Sequence, residues 1–291
     1  MPISNIAQRT TPRPSPRTAE PEQVVAATFD VVPSAYFARK GWIDRWLAVM
    51  LLIPGLPLIG LLMVLVRLTS RGPAIFRQSR VGKDGRVFTM FKIRTMRNDA
   101  EKELGATWST SNDPRSTRLG RLIRKLHLDE LPQLLNVLRG EMSLVGPRPE
   151  RPEFVCVLEE ALPGYRNRVT VSPGVTGLAQ LYLPPDTDLC SACRKLTLDL
   201  EYVRTATLGM DLRLLLSTFL RLPKLPLRLV LRLVALPAEC AAPECSACNV
   251  FRCNGHNGHS NMTATALKTK VEKSIHGANG KPHPVPAPNG Q

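Results

Sequence analysis

The chain has 291 residues, enough for one core domain with additions rather than two full domains. It carries 39 Lys+Arg against 24 Asp+Glu, a formal net charge of +15, which points to an anionic partner: nucleic acid, anionic lipid or a phosphorylated substrate. Only 5% of it is aromatic, which argues against base stacking on single strands, and seven cysteines without a cleavable signal peptide do not favour a secreted disulfide framework.

Residues 1–33 are rich in proline and serine, lack hydrophobic periodicity and read as a disordered arm. The single long apolar run is Leu47 to Val66, which contains no charge and is flanked by Arg45 and Arg67. Its 20 residues are enough to cross a bilayer core. Pro54-Gly55-Leu56-Pro57 lies at its centre, and each proline removes a helix hydrogen bond. A kinked spanning helix and a hairpin that enters the membrane and returns to the same face are both compatible with these residues. A buried soluble helix is the weakest reading, because there is no polar face.

Mixed charge resumes after Val66, and residues 67–222 form the globular domain. Ala74–Phe76 and Val87–Met96 read as short strands separated by Gly82-Lys83-Asp84-Gly85. Lys92 and Arg94 fall on one side of the second strand, two cations able to hold a phosphate; an ordinary solvated face is the plainer reading. Asp113 to Thr117 leads into a helix cap. Leu119, Leu122, Ile123 and Leu126 then make an apolar stripe, with Arg115, Arg118, Arg121, Arg124 and Lys125 mostly opposite. Such a basic amphipathic helix suits anionic headgroups.

Asp129 and Glu130 follow directly. Pro132 suits a first helical turn, Leu131, Leu134, Leu135 and Leu138 form one helical face, and Gly140 is a stop. The acid pair therefore sits at or just before a helix N-terminus, where anions are favoured. A carboxylate there can be a nucleophile, a base or a metal ligand, or simply an acidic first turn. In Gly146-Pro147-Arg148-Pro149-Glu150, Arg148 is held between two prolines, a stiff mount for a guanidinium that pairs with phosphate. Pro173 to Gly177 is a tight glycine-bearing loop, and residues 196–204 and 208–222 read as helices bearing Asp199, Glu201 and Asp211.

The blocks RLTSRGPAIFRQSRVG (67–82), FTMFKIRTM (88–96), DPRSTRLGRLIRKLHLDELPQLLNVLRGEMSLVGPRPE (113–150), SPGVTGLAQ (172–180) and LDLEYV (198–203) resemble the bacterial sugar transferases. These are the monotopic polyprenyl-phosphate phosphoglycosyl transferases, and the likeness runs from Trp42 to Leu222. The resemblance implies an α+β domain, mainly helical with a short strand pair, anchored by a re-entrant membrane helix (34–66) broken at a proline matching Pro57. It implies transfer of a phospho-sugar from a nucleotide diphosphate sugar, UDP-hexose in the simplest case, to undecaprenyl phosphate. That step starts exopolysaccharide, O-antigen or glycan assembly. Asp129 corresponds to the nucleophile of a covalent phospho-sugar intermediate, and Glu130 to the second acid. Asp129 and Glu130 would hold Mg²⁺, and Arg148 would meet substrate phosphate; Lys92 and Arg94 join it as candidates on the strand spacing given above, not on the resemblance. The catalytic domain would face the cytoplasm at the bacterial inner membrane, and the likeness is to the family's minimal membrane-bound core. The partners implied are a nucleotide-sugar donor, a polyprenyl phosphate and the lipid bilayer, with no nucleic acid.

Two cysteine features depart from the family pattern, one inside the domain and one in the tail, and a basic stretch lies between them. Residues 223–237 read as a basic surface helix, with Arg221, Lys224, Arg228 and Arg232 at helical spacing. Residues 238–291 carry Cys240, Cys245, Cys248 and Cys253, then His256 and His259, whose spacing is workable for Zn²⁺ in a tail that otherwise reads as disordered. Cys190-Ser-Ala-Cys193 repeats the tail's CSAC motif inside the domain. The competing function is a catalytically silent membrane-surface interaction module. A soluble basic nucleic-acid binder is disfavoured by the uninterrupted apolar run.

Overall fold

A computed structural model describes residues 31–97, 115–162, 164–184, 189–221 and 225–236. The Cys240–Cys253 tail, the arm up to residue 30 and the Asp113-Pro114 turn lie outside these described residues.

Helix α1, Phe37–Thr69, is the longest element. Lys40, Asp44, Ala48, Leu52, Gly55, Ile59, Leu62 and Val66 recur every three or four residues and form its buried face. That face packs on the elements around the acid pair. The other side exposes Trp42, Trp46, Met50, Ile53, Leu56, Leu61, Val64 and Leu68, all large apolar groups. The break expected at Pro57 is not present: the helix continues through both Pro54 and Pro57. Each proline interrupts the ladder locally, while the flanking apolar turns keep their own hydrogen bonds and carry the helix across.

Strands β1, Ile75–Val81, and β2, Val87–Ile93, form the expected strand pair and are antiparallel, with Ile75 opposite Ile93 and Val81 opposite Val87; β1 runs on past the expected end at Phe76, and β2 stops short of Met96. Helix α2, Arg118–Lys125, is capped by Thr117, whose Oγ1 accepts from the Gly120 N–H at 2.9 Å. Its buried residues are Gly120 and Ile123, while Leu122 of the expected apolar stripe is half exposed. Arg124, expected on the solvated face, instead donates to Thr95 Oγ1 at 2.7 Å. After the acid pair comes α3, Gln133–Leu138, and then β3, Ser143–Val145. Helix α4, Pro152–Ala161, starts with a proline in its first turn. Strand β4, Gly174–Thr176, pairs with β3 in parallel, a pairing the sequence did not announce. Helices α5, Leu178–Tyr182, α6, Leu189–Thr205, α7, Leu208–Arg221, and α8, Leu227–Leu233, complete the described chain.

The buried apolar residues fall in two clusters. One joins α1, β2, α3, β3 and α7 through residues such as Leu52, Met90, Val137, Val145 and Leu214. The second gathers Val81, Phe154, Leu158, Leu162, Tyr165 and Leu196. The Gly146–Glu150 loop links an element of the first to an element of the second. The start of α1 is fastened by a buried polar knot. The Lys40 ammonium donates to Asp44 at 3.3 Å and to Asp211 of α7. Tyr36 and Tyr202 also donate to Asp211, at 3.0 and 2.7 Å, and Ser143 donates to Asp44 at 2.5 Å. Asp211 therefore has a structural role: it helps satisfy a buried cation that would otherwise be costly.

Candidate active site

Local backbone geometry presents the acid pair. Gly120 lies close against the Thr95 backbone, so α2 can approach β2. The chain then turns at His127, whose φ of 53° is left-handed, and runs through a short 3-10 turn, Leu128–Glu130. Pro132 precedes α3 in helical conformation, as its fixed φ favours. The acids therefore lie just before the helix, as expected. The helix itself has only six residues, so the argument from its dipole is weak. Its buried residues are Gln133, Leu134, Asn136 and Val137, and Leu135 of the expected apolar face is partly exposed. Asn136 explains the difference. It accepts from the Phe91 N–H at 3.2 Å and donates to the Thr89 carbonyl at 2.8 Å, tying α3 to the edge of β2.

The two acids have different surroundings. Glu130 Oε1 accepts from Lys92 Nζ at 2.9 Å and from Arg148 Nη2 at 3.0 Å. Burial alone would raise the pKa of Glu130, but Lys92 and Arg148 outweigh it and hold the carboxyl well below the usual range. Asp129 is also buried, 9% exposed, and among the described residues its carboxylate has no hydrogen bond or ion pair. Burial, and then the charge of Glu130, push its pKa up, against the pull of Lys92, Arg124 and Arg148. One carboxylate is thus fixed and ionised, while its neighbour is free of partners and more basic. Separation of this kind assigns different roles to paired acids. Burial lowers the pKa of Lys92, whereas the Glu130 charge raises that of Arg148.

Arg148 is held from behind. Arg168 donates to the Arg148 carbonyl at 2.9 Å and to Asp199 at 2.6 Å, and Tyr165 Oη accepts from Arg168 at 2.7 Å. Glu150 accepts from Lys195 at 2.5 Å, and Arg80 donates to the Pro149 carbonyl at 2.8 Å. These cations depress the pKa of Glu150 to about 2, although its burial acts the other way. Arg80, Arg168, Lys195 and Asp199 are the supporting residues that sequence reasoning missed. Apart from Tyr165 beside Arg168, the partners just named lie 20 to 69 positions away, and no local pattern marks them.

The loop's backbone depends on close glycine packing. The Gly146 N–H donates to the Thr176 carbonyl and the Gly174 N–H to the Pro147 carbonyl, both at 2.9 Å. A Cβ at Gly174 would overlap the Gly146 backbone, and one at Gly146 would come 2.7 Å from the Ser172 carbonyl. Gly174→Ala is therefore expected to push β3 from β4 and displace Arg148, at a cost of about 1–3 kcal/mol in stability and about tenfold or more in activity. Thermal denaturation and turnover measured on the same preparation check it; wild-type values in both would show that the strands tolerate the added methyl group.

Of the expected phosphate-binding residues, Arg148 and Lys92 are brought together on Glu130. Arg94 is not with them. It is buried and donates through Nη2 to the Ser70 carbonyl and hydroxyl, each at 2.8 Å. Lys92 and Arg94 thus do not grip one group as a pair, because each is drawn to a different long-range partner. Among the described residues no cluster of three or more His, Cys, Asp or Glu is placed to hold a metal.

Comparison with known proteins follows this geometry. The chain matches the profile of the family described as bacterial sugar transferase over residues 35–224. It is 45% identical over 148 residues to a Bacillus subtilis protein provisionally named an undecaprenyl-phosphate N-acetylgalactosaminyl 1-phosphate transferase, covering 51% of this chain and 82% of the relative. It is 44% identical over 191 residues to the undecaprenyl-phosphate glucose phosphotransferase of Komagataeibacter xylinus, covering 63% of this chain and 35% of the relative. It is 40% identical over 182 residues to the UDP-glucose:undecaprenyl-phosphate glucose-1-phosphate transferase of Caulobacter vibrioides, covering 62% and 68%. The chain thus spans most of the first relative and about a third of the second.

Proposed function

The chain belongs to the bacterial sugar transferase family, a family of enzymes, and from that premise we propose that it moves a phospho-sugar from a UDP-hexose to undecaprenyl phosphate through an aspartyl intermediate. The observation that carries this reading is the contrast between the two acids: Glu130 is fixed by Lys92 and Arg148, and Asp129 is free. In the proposed first step an Asp129 carboxylate oxygen attacks the sugar-bearing phosphorus. The bond from that phosphorus to the bridging oxygen breaks, and UMP leaves with the electron pair. In the second step an oxygen of the lipid phosphate attacks the same phosphorus and releases Asp129. The product is undecaprenyl-diphosphate-sugar, the starting unit of an exopolysaccharide or related glycan. Covalent division of this kind lets an aqueous donor and a lipid acceptor react in turn.

Arg148, half exposed and rigidly mounted, faces the transferred phosphate together with Lys92 and offsets charge developing there. Glu130 keeps those two cations in place and ionised. Mg²⁺ takes one or two carboxylates plus substrate phosphate, and the unpartnered Asp129 carboxylate and the second oxygen of Glu130 fit that donor set. Bound there, the ion would supply charge neutralisation at phosphate.

Being unbroken, α1 is placed along the cytoplasmic side of the bacterial inner membrane, its exposed apolar side in the lipid and both ends on the cytoplasmic face. Support comes from the fastening of both ends to one domain, Asp44 to Ser143 near the start and Ser70 to Arg94 after the end. The exposed apolar side of α1 continues the argument, with Leu208, Leu212, Leu216 and Phe219 on α7 and Leu229 and Leu233 on α8 also exposed.

The experiment is nucleotide release. Membranes bearing the protein receive Mg²⁺, undecaprenyl phosphate and a panel of UDP-sugars. UMP release is expected with a preferred donor. UDP release would mean ordinary glycosyl transfer and would overturn the reaction.

A further inference from the structure

Arg94 does not belong to the Glu130 cluster, and its environment is unusual. The residue is only 6% exposed. Its Nη2 is satisfied by Ser70, yet Nε and Nη1 are buried with no hydrogen-bond partner, leaving three of a guanidinium's five N–H donors unpaired. No carboxylate among the described residues stands within ion-pair distance of it. Ser70, which Arg94 bonds, stands three residues after Arg67, and the Arg67 charge, of the same sign, acts on Arg94. A buried permanent cation with unmatched donors and a second cation beside it is costly unless an anion completes it.

The surroundings indicate what kind of anion. Arg67 lies in the last turn of α1, and Ser70 caps that helix. The same end of α1 exposes Leu61, Val64, Leu65 and Leu68. Polar donors thus meet an apolar wall. Arg94 also lies two residues beyond Lys92, which holds Glu130, a step of about 7 Å along an extended chain. We propose that Arg94 and Arg67 form a receiving site for a phosphate group carried on an apolar chain, at the end of α1 and beside the acid pair. Two sources share that chemistry, a lipid-linked phosphomonoester and a phospholipid headgroup. Assigning the site to the first, as the acceptor, rests on the function proposed above. A guanidinium offers paired donors to phosphate oxygens, and α1 gives the attached chain an apolar surface to follow.

Binding measured without donor or turnover tests the site. The full chain is purified in a phosphate-free non-ionic detergent and titrated with farnesyl phosphate, farnesol, inorganic phosphate and phosphatidylglycerol by calorimetry. Farnesyl phosphate is expected to bind about tenfold or more tightly than farnesol, and Arg94→Met to remove most of that advantage. Arg67→Gln alters an exposed residue and is expected to weaken farnesyl phosphate several-fold without changing the melting temperature. It carries the test, with Arg94→Lys, if Arg94→Met does not fold. Unchanged affinity in the folded variants would overturn the site. Inorganic phosphate binding as tightly as farnesyl phosphate would overturn the amphiphile assignment. Phosphatidylglycerol competing on equal terms would support the phosphate site and give it to a membrane lipid, overturning the acceptor assignment. Farnesyl phosphate binding without UMP release in the nucleotide assay would overturn the reaction and leave the site standing. UMP release without such binding would do the reverse.

Discussion

Replacing Asp129 by Asn is expected to abolish transfer, with UMP release falling by at least about a thousandfold. Asparagine has the same shape and hydrogen-bonding reach but no negative charge, and its amide cannot form the phosphate ester. The variant should fold, because the Asp129 carboxylate makes no hydrogen bond or ion pair among the described residues. It should even relieve repulsion from Glu130, one of the causes that raise the Asp129 pKa. Loss of activity with an unchanged or raised melting temperature would therefore assign chemistry to the residue. A second measurement uses the wild-type protein with donor and no acceptor, where mass spectrometry should find a phospho-hexose on the peptide carrying Asp129. The pH profile follows from the same surroundings. The nucleophile must be ionised, so kcat/KM is lost as pH falls through the pKa of Asp129. Read at limiting Mg²⁺, that limb should lie above the ordinary aspartate value of about 3.9, because burial and Glu130 raise it, and Mg²⁺ held by Asp129 should move it down. Glu130, held low by Lys92 and Arg148, stays ionised throughout. Full activity in Asp129→Asn would overturn the mechanism and favour chemistry at another group.

Features set by neighbouring residues were legible in the sequence. Asp129, Glu130 and Pro132 form a contiguous turn, and Arg148 between two prolines is stiff wherever it stands. The β1–β2 hairpin was legible too, since Gly82 to Gly85 separates two strand-forming runs. What depended on distant partners was not. Strand alternation places Lys92 and Arg94 on one side, but it cannot reveal that Glu130 draws one and Ser70 the other. Asn136 looked like a polar interruption in a leucine face, and only the position of the β2 edge makes it a buried bracket. Proline content argued for a break in α1, yet a long apolar helix absorbed both residues. The β3–β4 pair was invisible because three-residue strands carry little pattern, and only the mutual approach of Gly146 and Gly174 explains it.

Arg168→Met is expected to cost about 3–5 kcal/mol of stability, which corresponds to a fall of about 10 °C in melting temperature. The change leaves Asp199, 2% exposed, without its cation. Burial opposes the charge of Arg168, but Tyr165, Asp199 and Glu150 hold its pKa above the ordinary value and keep it a cation; burial pushes the pKa of Asp199 up, against the pull of Arg168 and Lys195. The substitution also removes the donor to the Arg148 carbonyl. Two effects are therefore mixed in the single variant, and the double variant Arg168→Met/Asp199→Leu separates them. Deleting both charges removes the uncompensated acid and should recover most of the melting temperature. It does not restore the bond to the Arg148 backbone. If Arg168 serves only the core, turnover recovers with stability. If it also positions Arg148 against the transferred phosphate, the stable double variant keeps a low kcat at saturating donor, and the defect survives in an assay run well below its melting temperature. We expect the second result, because the Arg168 guanidinium spans both contacts: its Nη2 binds Asp199 at 2.6 Å and the Arg148 carbonyl at 2.9 Å. Recovery of wild-type kcat in the double variant would confine Arg168 to folding.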